Sequence, residues 1–193
     1  MKKRLAIYGA GGFGREMKAL IESEGQYNFS GFIDDFKDGI SGLNENEYDD
    51  LLFAIADPLI RKKLVENWNG KPLNFQSMIS SHCNLNNSIS IKKGSIICQG
   101  VQFTVDIEVG HFTIININSV IGHDVKIGDY CSIMPSVNIA GNVRIDKGVF
   151  IGSGAVILQG IRIGANSIIG ASALVNKDVP ANSKVAGVPA KQI

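Results

Sequence analysis

The chain has 193 residues, a formal net charge of +1 and 45% apolar residues. That length makes one medium domain or two small ones with a substantial core, and a nearly neutral chain without a long basic run excludes a nucleic-acid surface. Cys83, Cys98 and Cys131 lie far apart with no Cys-x-x-Cys pair, which favours reduced thiols that neither hold a metal nor attack a substrate.

In chain order, Met1-Lys2-Lys3-Arg4 opens a basic start, but the apolar stretch behind it runs only from Leu5 to Tyr8. That is too short for a secretory core. No apolar run elsewhere suffices to span a bilayer, so the expectation is a cytoplasmic protein with no membrane partner. Residues 4–8 read as a buried strand and residues 15–24 as a helix, with Met17, Leu20 and Ile21 at helical spacing. Residues 29–33 and 51–56 read as further strands, residues 60–68 as a second helix, and the glycine-containing, acidic stretch 37–50 as a surface connection. This order predicts a small parallel α/β unit over residues 1–76.

From residue 77 to 193 a different rule holds. Every sixth residue from Ile79 to Val175 is apolar, through Leu85, Ile91, Ile97, Phe103, Val109, Ile115, Ile121 and Ile127 and on without interruption. Two places earlier stands a small or aliphatic residue, as at Val101, Thr113, Val125, Cys131, Val137 and Ala155, and glycine often follows directly, as at Gly110, Gly122, Gly128, Gly152, Gly164 and Gly170. A strict period of six fits neither an α-helix nor a hairpin meander. It fits a solenoid in which each hexad supplies one short strand and one corner, three hexads closing a coil of about eighteen residues. The aliphatic residues point inward, and glycine or asparagine at corners accepts backbone angles costly for other residues.

Between the first strand and the first helix, residues 9–14 read Gly-Ala-Gly-Gly-Phe-Gly, with Asp34 twenty residues beyond Gly14. Glycines let a backbone approach a pyrophosphate at a helix N-terminus, with Asp34 or Asp35 bonding a ribose hydroxyl or a base edge. A tight strand-to-helix turn also accounts for the motif with no ligand at all. About 76 residues supply little more than half of a dinucleotide fold, so one nucleoside diphosphate, as in a nucleotide-sugar, fits better than NAD.

Of His82, His111 and His123, only His123 is followed by an acid, Asp124, and it stands two places after the inward Ile121 on the outward side of its coil. A neutral imidazole whose tautomer is fixed by a carboxylate suits a general base for an attacking amine or hydroxyl. His111 shares that phase without the acid, and no cysteine or carboxylate set converges with either histidine, so no metal site is expected.

Together the GAGGFG loop, FIDDF at residues 32–36, AIADPLIRKK at 54–63, NSVIGHD at 118–124, AGNV at 140–143 and the terminal GVPAK at 187–191 resemble the bacterial nucleotide-amino-sugar N-acetyltransferases of the hexapeptide-repeat superfamily. The group includes enzymes acting on UDP-linked 4-amino-4,6-dideoxy sugars, with sialic acid O-acetyltransferases on a similar scaffold. The resemblance implies a half-Rossmann domain followed by a left-handed parallel β-helix with a short C-terminal tail. It further implies a homotrimer with acetyl-CoA between adjacent solenoids and a UDP- or dTDP-linked amino sugar on the N-terminal domain. It assigns His123 as base, Asp124 as its orienting acid and Asn116 near the reacting sugar. Gly11, Gly12, Phe13, Gly14, Asp34, Asp35 and Asp57 are then substrate contacts, and Gly141, Gly152, Gly170, Gly187, Pro189 and Lys191 line the coenzyme path. Phe13 stands where many relatives carry histidine, and Ser132 where some place a second histidine near the pantetheine arm. Transfer is expected to be direct, without a covalent cysteine carrier or a metal. The alternatives are O-acetylation of a sugar of the sialic acid type, a non-catalytic nucleotide-sugar-binding protein, and last an NAD-dependent oxidoreductase.

Overall fold

A computed structural model describes residues 2–35, 47–68, 70 and 74–193. Most of the expected connection over 37–50 lies outside the described residues. Strand β1 (Arg4–Tyr8) is buried from Leu5 onward and pairs in parallel with β2 (Asn28–Ile33) on one side and β3 (Asp50–Phe53) on the other. A short strand, β4 (Asn74–Phe75), completes the order β2-β1-β3-β4. Helix α1 (Gly12–Glu24) buries Met17, Leu20 and Ile21 and stops at Gly25, whose φ of 62° forms a left-handed cap. The helix starts earlier than its apolar spacing predicts because the glycine loop runs straight into it: Arg15 N–H already donates to the Gly11 carbonyl.

Strand β3 is shorter than the apolar run 51–56. Its ladder closes at Ala54 N–H to the Tyr8 carbonyl, and the chain then turns into α2 (Pro58–Trp68). Asp57 caps α2 through Oδ1, which accepts from Leu59 N and Ile60 N at 2.9 Å each, and proline at the first helical position needs no donor there. This Asp-Pro start was present in the sequence ahead of the predicted helix. Among the described residues, no helix is long and apolar enough to cross a membrane.

The hexads form a triangular prism of parallel strands. Its first face stacks Met78–Ile79, Ile96–Ile97, Ile114–Ile115, Ser132–Ile133, Phe150–Ile151 and Ile168–Ile169. The second face runs from Gln102–Phe103 to Leu174–Val175, and the third from Ile89–Ile91 to Arg162–Ile163. From Ile97 to Val175 every residue of the sixfold ladder is buried, and the small residues two places earlier fill the same core.

Leu85 is the exception, 45% exposed although it keeps the register. The second side of the opening coil makes no strand pair there; a single bridge joins Asn84 to Gln102. The Asn84 side-chain amide imitates a peptide, donating to the Phe103 carbonyl and accepting from Phe103 N at 2.9 Å each. Asn86 Nδ2 donates to the Thr104 carbonyl at 2.7 Å, and Ser88 Oγ accepts from Asp106 N at 2.8 Å. At the far end Lys184–Ala186 folds back in an antiparallel pair with Lys191–Gln192.

The corners divide two tasks that the sequence merges. From Gly94 to Ser172 every sixth residue has positive φ, three places after the inward one, including Asp124 at 60° and the aromatic pair Phe112 and Tyr130 at 52° and 57°. The glycine directly after the inward residue serves instead for clearance. A Cβ at Gly122 would lie 2.7 Å from the backbone of Ala140 and Gly141, and one at Gly164 only 2.3 Å from Ala181 N.

The α/β unit sits on the first face. Met78, Ile96, Cys98 and Ile114 share one apolar cluster with Leu5, Ile7, Met17, Leu20, Ile21 and Leu52. Phe112, stacked on Tyr130 with ring centroids 5.4 Å apart, joins a second cluster containing Tyr8, Phe53 and Val65. The other two faces remain open and differ in chemistry. The third carries Glu108, Lys126, Arg144 and Arg162 in one ladder, with Lys126 paired to Glu108. The second exposes Val120, Val156 and Leu158.

Candidate active site

Two sets of predicted residues come together within the chain, and they stand apart from one another. The first surrounds the carboxyl ends of β1, β2 and β3, where a parallel sheet offers its crevice. Gly9, at φ +105°, turns the chain out of β1 against Ala54 and Ile55: a Cβ there would lie 2.7 Å from Ile55 Cδ1 and 2.9 Å from the Ala54 carbonyl oxygen. Gly14 packs so tightly on Gly9 that a Cβ would overlap its carbonyl oxygen at 1.8 Å. Around Gly11 and Gly12, by contrast, nothing among the described residues lies within 4 Å of an added Cβ, and none of their side chains caps α1. Backbone N–H groups at an uncapped, unobstructed helix start are a good setting for a phosphate.

The two aspartates differ in role. Asp34 Oδ2 accepts the Ala10 N–H at 2.8 Å and so braces the loop, while Asp35 accepts the hydroxyl of Tyr8. Burial, with Asp35 next to it, raises the Tyr8 hydroxyl well above the usual phenol range, which keeps it a donor. Phe13 is half-buried against the apolar cluster shared by α1 and the first face. Asp57, expected as a substrate contact, has a structural task in the protein: its Oδ1 holds the start of α2.

The second set is at the corner between the second and third faces. His123 Nδ1 bonds Asp124 Oδ2 at 2.8 Å, with the imidazole 51% and the carboxylate 57% exposed. Asp124 reaches back along the ring because its own backbone is left-handed, a conformation that Asp tolerates better than most residues. With Nδ1–H donating to the carboxylate, Nε2 is left as the acceptor. It points at Gly141, one coil on, where a Cβ would lie 2.3 Å from it. Gly141 is therefore the floor beneath the basic nitrogen.

The remaining positions are elsewhere. Asn116 is 6% exposed, follows Ile115 on the first face, and its Oδ1 accepts from Ile117 N at 2.7 Å. Gly152 and Gly170 form a column along the first face, backed by Ala171 and Ala186. Gly187, Pro189 and Lys191 are exposed in the closing turn and its strand. His111 is at the corner between the third and first faces, its Nδ1 buried without a partner among the described residues. Burial pushes the thiols of Cys98 and Cys131 up to about 12, which makes both poor nucleophiles.

One residue that sequence reasoning passed over is central to the arrangement. Arg61, inside the quoted AIADPLIRKK segment, is 1% exposed and spans the seam between the α/β unit and the solenoid. Ser132, noted only as a departure from relatives, is fully buried at the same seam, donating to the Ala56 carbonyl at 2.6 Å and accepting from Arg61 at 3.0 Å.

Comparison with known proteins places these features in a family. Residues 4–68 match the PglD N-terminal domain and residues 142–177 the bacterial transferase hexapeptide (six repeats). WeeI from Acinetobacter baumannii is 32% identical over 98% of this chain and 99% of its own, with a TM-score of 0.87. The chain belongs to the PglD-like hexapeptide-repeat acetyltransferases. This acetyltransferase also resembles PerB from Caulobacter crescentus, solved with CoA and GDP-perosamine, at 27% identity over 98% of this chain and 96% of that one, TM-score 0.91. The acetyltransferase domain of PglB from Neisseria gonorrhoeae, solved with acetyl coenzyme A, matches over 100% of both chains at 26% identity and a TM-score of 0.92.

Proposed function

We propose that the protein moves the acetyl group of acetyl-CoA onto the amine of a sugar carried by a nucleoside diphosphate, with His123 as general base in a site assembled between copies of the chain. The observation that carries this reading is the His123–Asp124 pair, set at an open corner of a chain that parallels PerB over nearly its whole length. The glycine loop supports it with exposed backbone at Gly11 and Gly12, at the start of a helix.

In the proposed reaction the sugar amine attacks the thioester carbonyl carbon while Nε2 takes a proton from the nitrogen. The C–S bond then breaks, the amide forms, and the proton passes to the departing sulfur to give free coenzyme A. Asp124 holds the imidazole in the required tautomer and stabilises its charged form. Neither Cys98 nor Cys131 is needed.

The topology supports a second copy. The α/β unit covers the first face, whereas His123 occupies the corner opposite it, between the second and third. A sugar-nucleotide on the glycine loop is thereby directed to the histidine of a neighbouring chain. The second face, which meets that corner, exposes Val120, Val156 and Leu158, an apolar surface suited to burial against another prism. Closure would also remove water from the half-exposed imidazole, strengthening its electrostatic role. A homotrimer, as in the sequence reading, satisfies these conditions.

The test is release of coenzyme A thiol from acetyl-CoA across amino-sugar conjugates of uridine, thymidine and guanosine diphosphates. The expected result is release with at least one amine and none with its hydroxyl analogue. Release with the hydroxyl alone would replace this reading by O-acetylation, and binding without release by a non-catalytic role.

A further inference from the structure

Among the described residues, the buried cation Arg61 has no carboxylate within ion-pair distance, Asp57 acting on it only from farther off. Its Nε donates to the Phe112 carbonyl at 2.8 Å, Nη1 to those of Ile55 and Ala56 at 2.5 and 3.2 Å, and Nη2 to those of Tyr130 and Cys131 at 2.9 Å each and to Ser132 Oγ at 3.0 Å. Every N–H of the fork is thus engaged. The acceptors belong to three separate stretches of chain: the turn after β3, and one corner in each of two successive coils.

The turn after β3 is the wall of the glycine-loop crevice, since Gly9 rests on Ala54 and Ile55. Holding the two units together does not require such a device. Apolar contacts already join them through Met17, Leu20, Ile96 and Ile114, and burying a charge opposes stability. What the planar fork adds is direction. An apolar pin fixes a distance but tolerates rotation, whereas several bonds in one plane fix orientation as well.

We infer that Arg61 is a positioning residue for acetyl transfer: by tying the crevice wall at residues 54–57 to two coils of the prism, it sets where the acceptor amine lies relative to the acetyl group. This inference rests on the nucleotide-sugar reading proposed above. Arg61 touches neither substrate in this assignment and acts entirely through the wall. Lysine in its place keeps the charge but presents a compact ammonium, which cannot reach the turn and both coils together.

The experiment compares the full-length protein with Arg61→Lys and Ser132→Ala, using acetyl-CoA and whichever nucleotide-amino-sugar the wild type accepts. Folding is checked by circular dichroism and thermal melting, and rates are normalised to folded protein. For Arg61→Lys, kcat is expected to fall by about 10- to 100-fold, the scale of a displaced reactant, while KM for acetyl-CoA stays within about twofold. Amide exchange is expected to quicken at residues 54–61 and 112–132. Ser132→Ala, which loses one acceptor of the fork and a bond to Ala56, is expected to show a smaller fall in kcat with the same unchanged KM. A folded Arg61→Lys enzyme with wild-type kcat overturns the inference. So does a loss that disappears on normalisation, as a merely structural role requires. If Arg61→Lys does not fold, Ser132→Ala decides, and an unchanged kcat there overturns it. Wild-type inactivity across the whole panel would instead refute the functional reading, so the two failures are distinguishable.

Discussion

Gly141 allows the placement of the His123 imidazole to be tested without altering the imidazole. An alanine Cβ there would lie 2.3 Å from Nε2 and 2.5 Å from Cε1, where ordinary contact begins at 3.4 Å. The ring must therefore move by about 1 Å to restore van der Waals separation. Within its own chain the ring can do so at little cost to the fold, because the side chain is 51% exposed. The backbone at residue 141 is outside the left-handed region, so Gly141→Ala should change stability by less than about 1 kcal/mol. A base displaced by that distance costs roughly 100-fold in rate, or about 2.7 kcal/mol of barrier. The expected outcome is a fold that melts within about 3 °C of wild type and a kcat, by thiol release, about two orders of magnitude lower. Gly128→Ala is the contrast. Its Cβ meets the backbone of Lys147 at 2.7 Å, which cannot swing aside, so stability should fall by about 1–3 kcal/mol and activity only with the folded fraction. A folded Gly141→Ala enzyme within about twofold of wild-type kcat would refute the assignment of Nε2 as the basic atom above Gly141.

Two further predictions concern the pair and the ladder. His123→Ala should lower kcat by about 100- to 10,000-fold, and Asp124→Asn by about tenfold with melting unchanged, since asparagine also accepts the left-handed corner. The double variant should be little slower than His123→Ala, because Asp124 acts through the ring; additive losses would give the carboxylate a separate task. Ile139→Ala should cost about 2–5 kcal/mol in denaturant unfolding, and Leu85→Ala less than about 0.5 kcal/mol, despite their identical register. Equal costs would contradict the exposed position of Leu85.

The hexad pattern was legible because the solenoid core depends on one residue in six and nothing interrupts that count between Ile97 and Val175. It failed at Leu85, where the period continues but the opening coil makes only one bridge there; the polar run Asn84, Asn86, Asn87 and Ser88 was the available sign. The His123–Asp124 pair was readable as adjacent residues, and Gly141 becomes readable once the coil length is known, being one coil beyond His123. The separation of His123 from the glycine loop was not legible, since only the docking of the α/β unit on the first face reveals it. Arg61 was hidden for another reason. All but one of its partners are backbone carbonyls, which leave no trace in residue identity.

The two ends of the prism have a consequence for solubility. A stack of parallel strands presents unpaired peptide groups at its first and last layers, and such surfaces invite end-to-end polymerisation into fibrils. Here the side-chain amides of Asn84 and Asn86 occupy the peptide sites at one terminus, and the antiparallel return of Lys191–Gln192 lies across the other. Each device covers the peptide groups of one face at its end of the prism, so another molecule finds fewer sites on which to add a layer.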